Sequence, residues 1–135
     1  MRQNKSVQQG IFPRGDKNDA YASFFTGQSY LHKLVADADI PLSVANVTFE
    51  PGCRNHWHIH TDGYQILLVT AGAGWYQEAG QAARALHPGD VVVTHKGIRH
   101  WHGAQKDSWF SHVAITAGQT EFFEAVDAHA YDALH

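Results

Sequence analysis

Short runs of β-branched and aromatic residues, each closed by a glycine or proline turn, fill the chain from residue 42 to residue 116. The runs read SVANVTF, HWHIH, YQILLVT, GWYQ, ARAL, VVVTH, HWH and WFSHVAI, and PG, DG, AGAG, AG, PGD and KG punctuate them. Helical 3.6-residue periodicity is absent from this stretch. Many short strands with regular turns bury their apolar faces in a sandwich or a barrel. The flanks are less regular. Residues 1–20 carry Gly10, Pro13, Gly15 and several charges without a usable period, and read as an N-terminal arm. Residues 21–35 hold two short strand-like runs split by Gly27, and residues 36–41 form a loop ending at Pro41. Near the other end, EFFEAV reads as extended, and a short helix follows with Asp127 as its N-cap.

A chain of 135 residues with 44% hydrophobic content is expected to form one domain over residues 21–135, its motif-bearing core at 44–116. The net charge of -3 comes without a basic block, which argues against a nucleic-acid partner. No apolar run approaches the roughly 20 residues that cross a bilayer, so no membrane partner is expected. The N-terminus MRQNKSVQQG lacks the apolar stretch of a signal peptide. A single cysteine, Cys53, forbids an internal disulfide and suits a reducing compartment. The expected address is the cytoplasm.

Of eleven histidines, eight fall between positions 56 and 112. Histidine is the commonest metal ligand, so spacing decides what the cluster means. In a strand, residues two apart share a face. His56, His58 and His60 therefore project together, with Trp57 and Ile59 opposite. A DG turn then folds the next strand back, and Gln65, Leu67 and Val69 share one of its faces. An amide oxygen is thereby brought beside two imidazoles. Further on, His100 and His102 share a face after a KG turn, and His112 lies with Phe110 and Ala114 on an otherwise apolar or small face. An HxH pair alone reads equally as two satisfied histidines on a half-buried strand.

The wider context decides for a metal. Residues Gly52 to Gly72 fit the first cupin motif, G(X)5HXH(X)4E(X)6G, through His58 and His60, with Gln65 where glutamate is usual. Residues Gly89 to Ala104 fit the second, G(X)5PXG(X)2H(X)3N, through Gly97 and His100. His95 replaces the usual proline and Ala104 the usual asparagine. Over about residues 44–116 the chain resembles cupins associated with carboxymuconolactone decarboxylases and the bacterial cupin-type hydroxynitrile lyases. That resemblance implies an all-β cupin (jelly-roll) barrel, with an N-terminal arm and a short C-terminal helix. It implies a divalent metal on His58, His60, Gln65 and His100, with manganese preferred and zinc, nickel, iron or cobalt as alternatives. His112 would match the lyase base, and Ala45, Val47 and Thr116 would match pocket-lining positions. Phe110 joins these as an expected substrate contact, and His102 joins His112 as an expected catalytic residue.

The donor chemistry agrees. Three neutral imidazoles and one amide leave a divalent charge uncompensated, which favours an anionic or carbonyl-oxygen ligand and Lewis-acid action on a small molecule. The activity expected is lyase-like: C–C cleavage or decarboxylase-related chemistry. Two alternatives stand beside it, an iron-dependent cupin dioxygenase and a non-enzymatic small-ligand or metal-binding module. His56 is expected at the rim or behind a ligand, His95 in a turn, Cys53 in a structural role, and Arg54 and Arg99 at the surface. The arm and EFFEAV are expected to remain as spare strand edges, which invite pairing with a second copy into a homodimer.

Overall fold

The computed structural model describes residues 10–135. The reading of the arm over residues 1–9 therefore lies outside the described residues. Thirteen strands are present: β1 (Asp16–Lys17), β2 (Phe25–Thr26), β3 (Ser29–Val35), β4 (Ser43–Phe49), β5 (Arg54–Asn55), β6 (His58–His60), β7 (Tyr64–Gly72), β8 (Gly74–Glu78), β9 (Arg84–Leu86), β10 (Val91–Thr94), β11 (His100–Ala104), β12 (Phe110–Ala117) and β13 (Thr120–Phe122). A 3-10 helix covers Asp19–Phe24, and one α-helix, α1, covers Ala128–Asp132.

The strands form two antiparallel sheets. One runs β1-β3-β4-β12-β7-β10. In the other, β11 pairs β8 along one edge and β5 and β6 along the other, with β9 beyond β8, β2 beyond β5 and β13 beyond β6. The alternation of β7 shows how sequence sets facing. Gln65, Leu67, Val69 and Ala71 are buried, while Tyr64 and Leu68 reach solvent. Between the sheets, Val47, Phe49, Leu67, Val69, Tyr76, Leu86, Val92, Phe110 and Ala114 make a continuous core. Each fully buried Leu or Phe there contributes roughly 1.5–3 kcal/mol.

A second cluster backs the other side of the β8–β11 pair. Trp75 and Trp101 point away from the inter-sheet core and pack with Val126 and Tyr131. Asp127 caps α1 as expected, its carboxylate accepting the Ala130 N–H at 2.9 Å. The helix thus covers the back of β11, whose front carries His100 and His102.

The structure corrects some of these expectations and refines others. Residues 21–24, expected as strand, belong to the 3-10 helix Asp19–Phe24, and only Phe25–Thr26 of the run before Gly27 is strand. The aromatic side chains there serve a cavity wall, and that tertiary demand overrides β propensity. Part of the arm is ordered as β1, where Asp16 and Lys17 pair with Leu31 and Tyr30 of β3. The start of EFFEAV enters β13, where Thr120, Glu121 and Phe122 pair with His60, Ile59 and His58, and β1 and β13 are the outer strands of their sheets, each with one edge left unpaired. Arg54 is buried, with its guanidinium 4.0 Å from the Tyr131 ring centroid. A buried guanidinium stacked on an aromatic face is a stabilising cation–π contact. Arg99 is half-buried, stacks on Phe123 and forms an ion pair with Glu124.

The motif glycines are turn glycines. Gly52, Gly72, Gly89 and Gly97 all have positive φ. Gly72 is the most constrained of them, because a Cβ there would stand 1.8 Å from the Trp109 carbonyl oxygen. Gly80 has a similar φ of 83° but nothing within 4 Å. Gly80→Ala should therefore cost only the left-handed penalty of about 1–2 kcal/mol. Gly72→Ala should cost clearly more, because strand and carbonyl must also part. Chemical denaturation of the two variants side by side measures the difference.

Candidate metal centre and active site

Three elements carry the histidines inward. β6 delivers His58 and His60, β11 delivers His100 and His102, and β12 delivers His112. The strands are in register, with His100 opposite His58. Ring centroids lie 4.1 Å apart for His58 and His100, 5.4 Å for His58 and His60, and 5.2 Å for His60 and His100. His102 sits 5.5 Å from His58 and 4.9 Å from His112. Every one of these five rings is buried. His58, His100 and His102 bring ring nitrogens within 4.8 Å of one another, close enough for one ion.

Each ring's Nδ1 partner determines what its Nε2 can do. A carbonyl oxygen only accepts, so the 2.8 Å contact to the His56 carbonyl places a proton on His58 Nδ1. The 2.9 Å contact to the Ile98 carbonyl does the same for His100. His60 Nδ1 lies 3.1 Å from Thr120 Oγ1, and its Nε2 is buried without a partner. Two rings thus offer an Nε2 lone pair, and the third has an orphaned Nε2 beside them. Gln65 completes the set. Its Nε2 donates to Thr116 Oγ1 at 3.0 Å, which turns Oε1 toward His100 Nε2 at 3.4 Å and His102 Nε2 at 3.3 Å.

Burial dominates the protonation equilibria. It holds His58 and His102 well below the usual imidazole range, and neighbouring imidazoles add to the effect. It lowers His60 as well, pushes His100 down to about 4 and His112 down to about 3. Five neutral imidazoles packed together form a donor set suited to a divalent cation. The orphaned His60 Nε2 is a buried ring nitrogen that such an ion would satisfy, so these residues fit a metal.

His102 and His112 form a second, linked pair. His102 Nε2 lies between an acceptor, Gln65 Oε1 at 3.3 Å, and a donor, Asn55 Nδ2 at 3.2 Å, so either tautomer of the ring finds a partner there. Its Nδ1 lies 3.2 Å from His112 Nε2 and 3.4 Å from Asn55 Nδ2. Asn55 is itself oriented by the His102 backbone N–H, which donates to its Oδ1 at 2.9 Å. His112 Nδ1 remains buried without a partner.

These groups stand at one end of a cavity of about 750 Å³ between the sheets. Ala45, Val47 and Thr116, named from the sequence, wall it together with His112, His102, His58, His60 and Gln65. Phe110 does not. It is fully buried in the core, 5.6 Å from Phe49 and 5.5 Å from His112. Among the described residues no tryptophan, lysine or arginine walls the cavity. His56 leaves the ligand face because the chain breaks strand pairing between β5 and β6, and its Nδ1 turns to the Phe123 carbonyl at 3.2 Å. What it supplies to the site is its backbone carbonyl.

Sequence reasoning missed Tyr21, Phe24 and Phe122, which form an aromatic wall at the cavity mouth. Phe24 and Phe122 stack at 4.3 Å, and Phe122 lies 5.2 Å from His58. No local pattern marks residues whose role depends on two distant segments meeting. Asn55 and Thr120 were missed for the same reason.

Comparison with known proteins agrees with this architecture. A family model described as Cupin domain matches residues 45–115. The chain is 47% identical over 95 residues to an (R)-mandelonitrile lyase from Granulicella tundricola, covering 70% of this chain and 72% of that protein. It superposes on a cupin-like protein from Thermotoga maritima with TM-score 0.83 and 42% identity, covering 90% of this chain and 93% of that one. A second Thermotoga maritima structure, titled as a predicted oxalate decarboxylase, shares the fold at TM-score 0.63 and 18% identity, over 73% of this chain and 84% of the other. With its motif glycines in turns and its motif histidines converging between two antiparallel sheets, the chain belongs to the cupin family.

Proposed function

We propose that the protein is a metal-dependent lyase acting on a small molecule that carries a hydroxyl or carbonyl oxygen. The observation that carries this reading is the arrangement of three histidines at the end of an apolar cavity. His58 and His100 have Nδ1 tied off and Nε2 free, His60 has an unpartnered Nε2, and Gln65 Oε1 stands beside them. His58, His60, Gln65 and His100 would hold one divalent ion, with manganese the first candidate. When bound, such an ion supplies Lewis acidity that polarises an oxygen of the substrate. The relative named (R)-mandelonitrile lyase supports the choice of C–C cleavage.

In that reaction class a hydroxyl proton leaves, the C–C bond breaks to give a carbonyl, and the departing carbanion equivalent takes a proton. His112 Nδ1 is an unpartnered nitrogen on a ring that walls the cavity. With its Nε2 proton shared with His102 Nδ1, His112 keeps a lone pair at Nδ1 and accepts the hydroxyl proton there. Burial keeps the ring neutral and makes it a reluctant proton carrier. It therefore returns the proton readily to the leaving group, so the step closes without net proton transfer. Ala45 and Val47 leave room for the substrate's carbon skeleton.

Among the described residues no helix is long and apolar enough to cross a membrane. We place the protein in the cytoplasm, in keeping with the free, buried thiol of Cys53. We also propose a homodimer, now through the outer face of β7 and β10. Val91, Val93 and Leu68 are exposed there on paired strands, an apolar patch of the kind that marks interfaces.

Three experiments test these readings. Elemental analysis should find stoichiometric divalent metal in the protein and little in His58→Ala. The loaded protein should cleave mandelonitrile, and His112→Ala should retain metal while losing on the order of 10²-fold or more in turnover. Metal without cleavage would sink the lyase assignment, and unchanged turnover in His112→Ala would remove the base.

The second experiment is thermal unfolding of metal-free protein as a function of pH. The native histidines resist protonation below the unfolded value near 6.5, so the unfolded state binds more protons as pH falls. Their stabilisation is complete above about 6.5 and is lost on acidification toward the lowered native values. The expected slope is roughly 1.4 kcal/mol per pH unit for each histidine that stays neutral. A flat profile between pH 6.5 and 4 would contradict the buried neutral cluster. The third is light scattering, in which wild type should run as a dimer and a Val91→Lys, Val93→Glu double variant as a monomer.

A further inference from the structure

We propose that Thr120 is a positioning residue of the metal centre: its hydroxyl accepts the Nδ1 proton of His60 and so presents His60 Nε2 as a ligand. This rests on the metal reading above and adds to it a residue that neither cupin motif contains.

The three motif histidines are not supported in the same way. His58 and His100 give their Nδ1 protons to the carbonyls of His56 and Ile98, two residues back in each case. Those contacts are local, and any side chain at positions 56 and 98 would preserve them. His60 has no such carbonyl. Its Nδ1 partner is the side chain of Thr120, 60 residues further along. Thr120 lies on β13, beyond the residues 45–115 that match the family model. One of the three imidazoles thus owes its tautomer to a segment outside the family core.

The geometry of β13 is fixed independently of that contact. Thr120 pairs with His60 and Phe122 with His58, which sets its inward residues beside the two histidines of the HxH pair. Asp62 Oδ1 accepts the Gln119 N–H at 2.7 Å, and Thr61 N–H donates to the Gln119 carbonyl at 2.9 Å. Phe122 is held in the stack with Phe24. The hydroxyl is therefore delivered to Nδ1 by a braced strand. Without an acceptor there, Nδ1–H would be a buried donor without a partner. The ring would then favour the tautomer with its proton on Nε2, the atom a cation needs. Partners of this kind typically cost 10–100-fold in metal affinity when removed.

The test compares wild type, Thr120→Val, which keeps the shape and removes the acceptor, and Thr120→Ser, which restores it. Cobalt(II) affinity is measured by calorimetry, and the visible spectrum of the cobalt form reports ligand geometry. The expected result is a 10–100-fold loss of affinity and an altered spectrum in Thr120→Val, with both recovered in Thr120→Ser. Equal affinity and an identical spectrum in wild type and Thr120→Val would overturn the proposal and leave the metal reading intact. Failure of wild type to take up cobalt, manganese or zinc would instead sink the metal reading. A second measurement needs no metal. Nitrogen-15 NMR of the metal-free wild type should find the His60 proton on Nδ1, and finding it on Nε2 would overturn the proposal even if Thr120→Val failed to fold.

Discussion

A neutral imidazole has one donor and one acceptor, so tying down the donor commits the acceptor. The inner end of this cavity applies that rule repeatedly. His58 and His100 spend their protons on backbone carbonyls, while His102 and His112 are linked to each other and to Gln65 and Asn55. The consequence is a set of lone pairs gathered where water is excluded. A buried polar atom without a partner costs roughly 1–3 kcal/mol, and His60 Nε2 and His112 Nδ1 are both in that position. In the function proposed above the first would meet a cation and the second a substrate proton.

The rest of the architecture holds those atoms in place. The six-stranded sheet supplies Gln65 and His112, and the other sheet supplies the remaining histidines, so the centre exists only where the two faces meet. Trp75, Trp101, Val126 and Tyr131 stiffen the back of β11 from outside. Arg54, buried against Tyr131, ties the C-terminal helix to the same sheet. A ligand set built on strands backed by close packing moves little, which is what preorganised binding needs.

The cavity divides its labour by polarity. Its inner end is nitrogen-rich and uncharged in the ligand-ready state. Its outer part is largely carbon, from Ala45 and Val47 to the stacked Phe24 and Phe122. Phe110, although next to His112 in space, packs against Phe49 in the core and does not wall the cavity.

Strand periodicity and turn glycines are local properties, and the sequence by itself determined what depends on them. The eight runs from SVANVTF to WFSHVAI all contain strand, and the motif glycines all take turn conformations. The two-residue period predicted that His58 would lie with His60; Gln65 does come beside the histidines, but the DG turn makes no hairpin, since β6 and β7 lie in different sheets and Gln65 meets the ring cluster across the gap between them. What the sequence left open was every relation between segments distant along the chain. The 3-10 helix at Asp19–Phe24, the docking of β13 on β6, the burial of Arg54 and the partner of His60 Nδ1 follow from which surfaces meet. A strand's two faces can be read from its own residues. Its neighbours are chosen by the packing of the whole chain, and only the tertiary structure decides that.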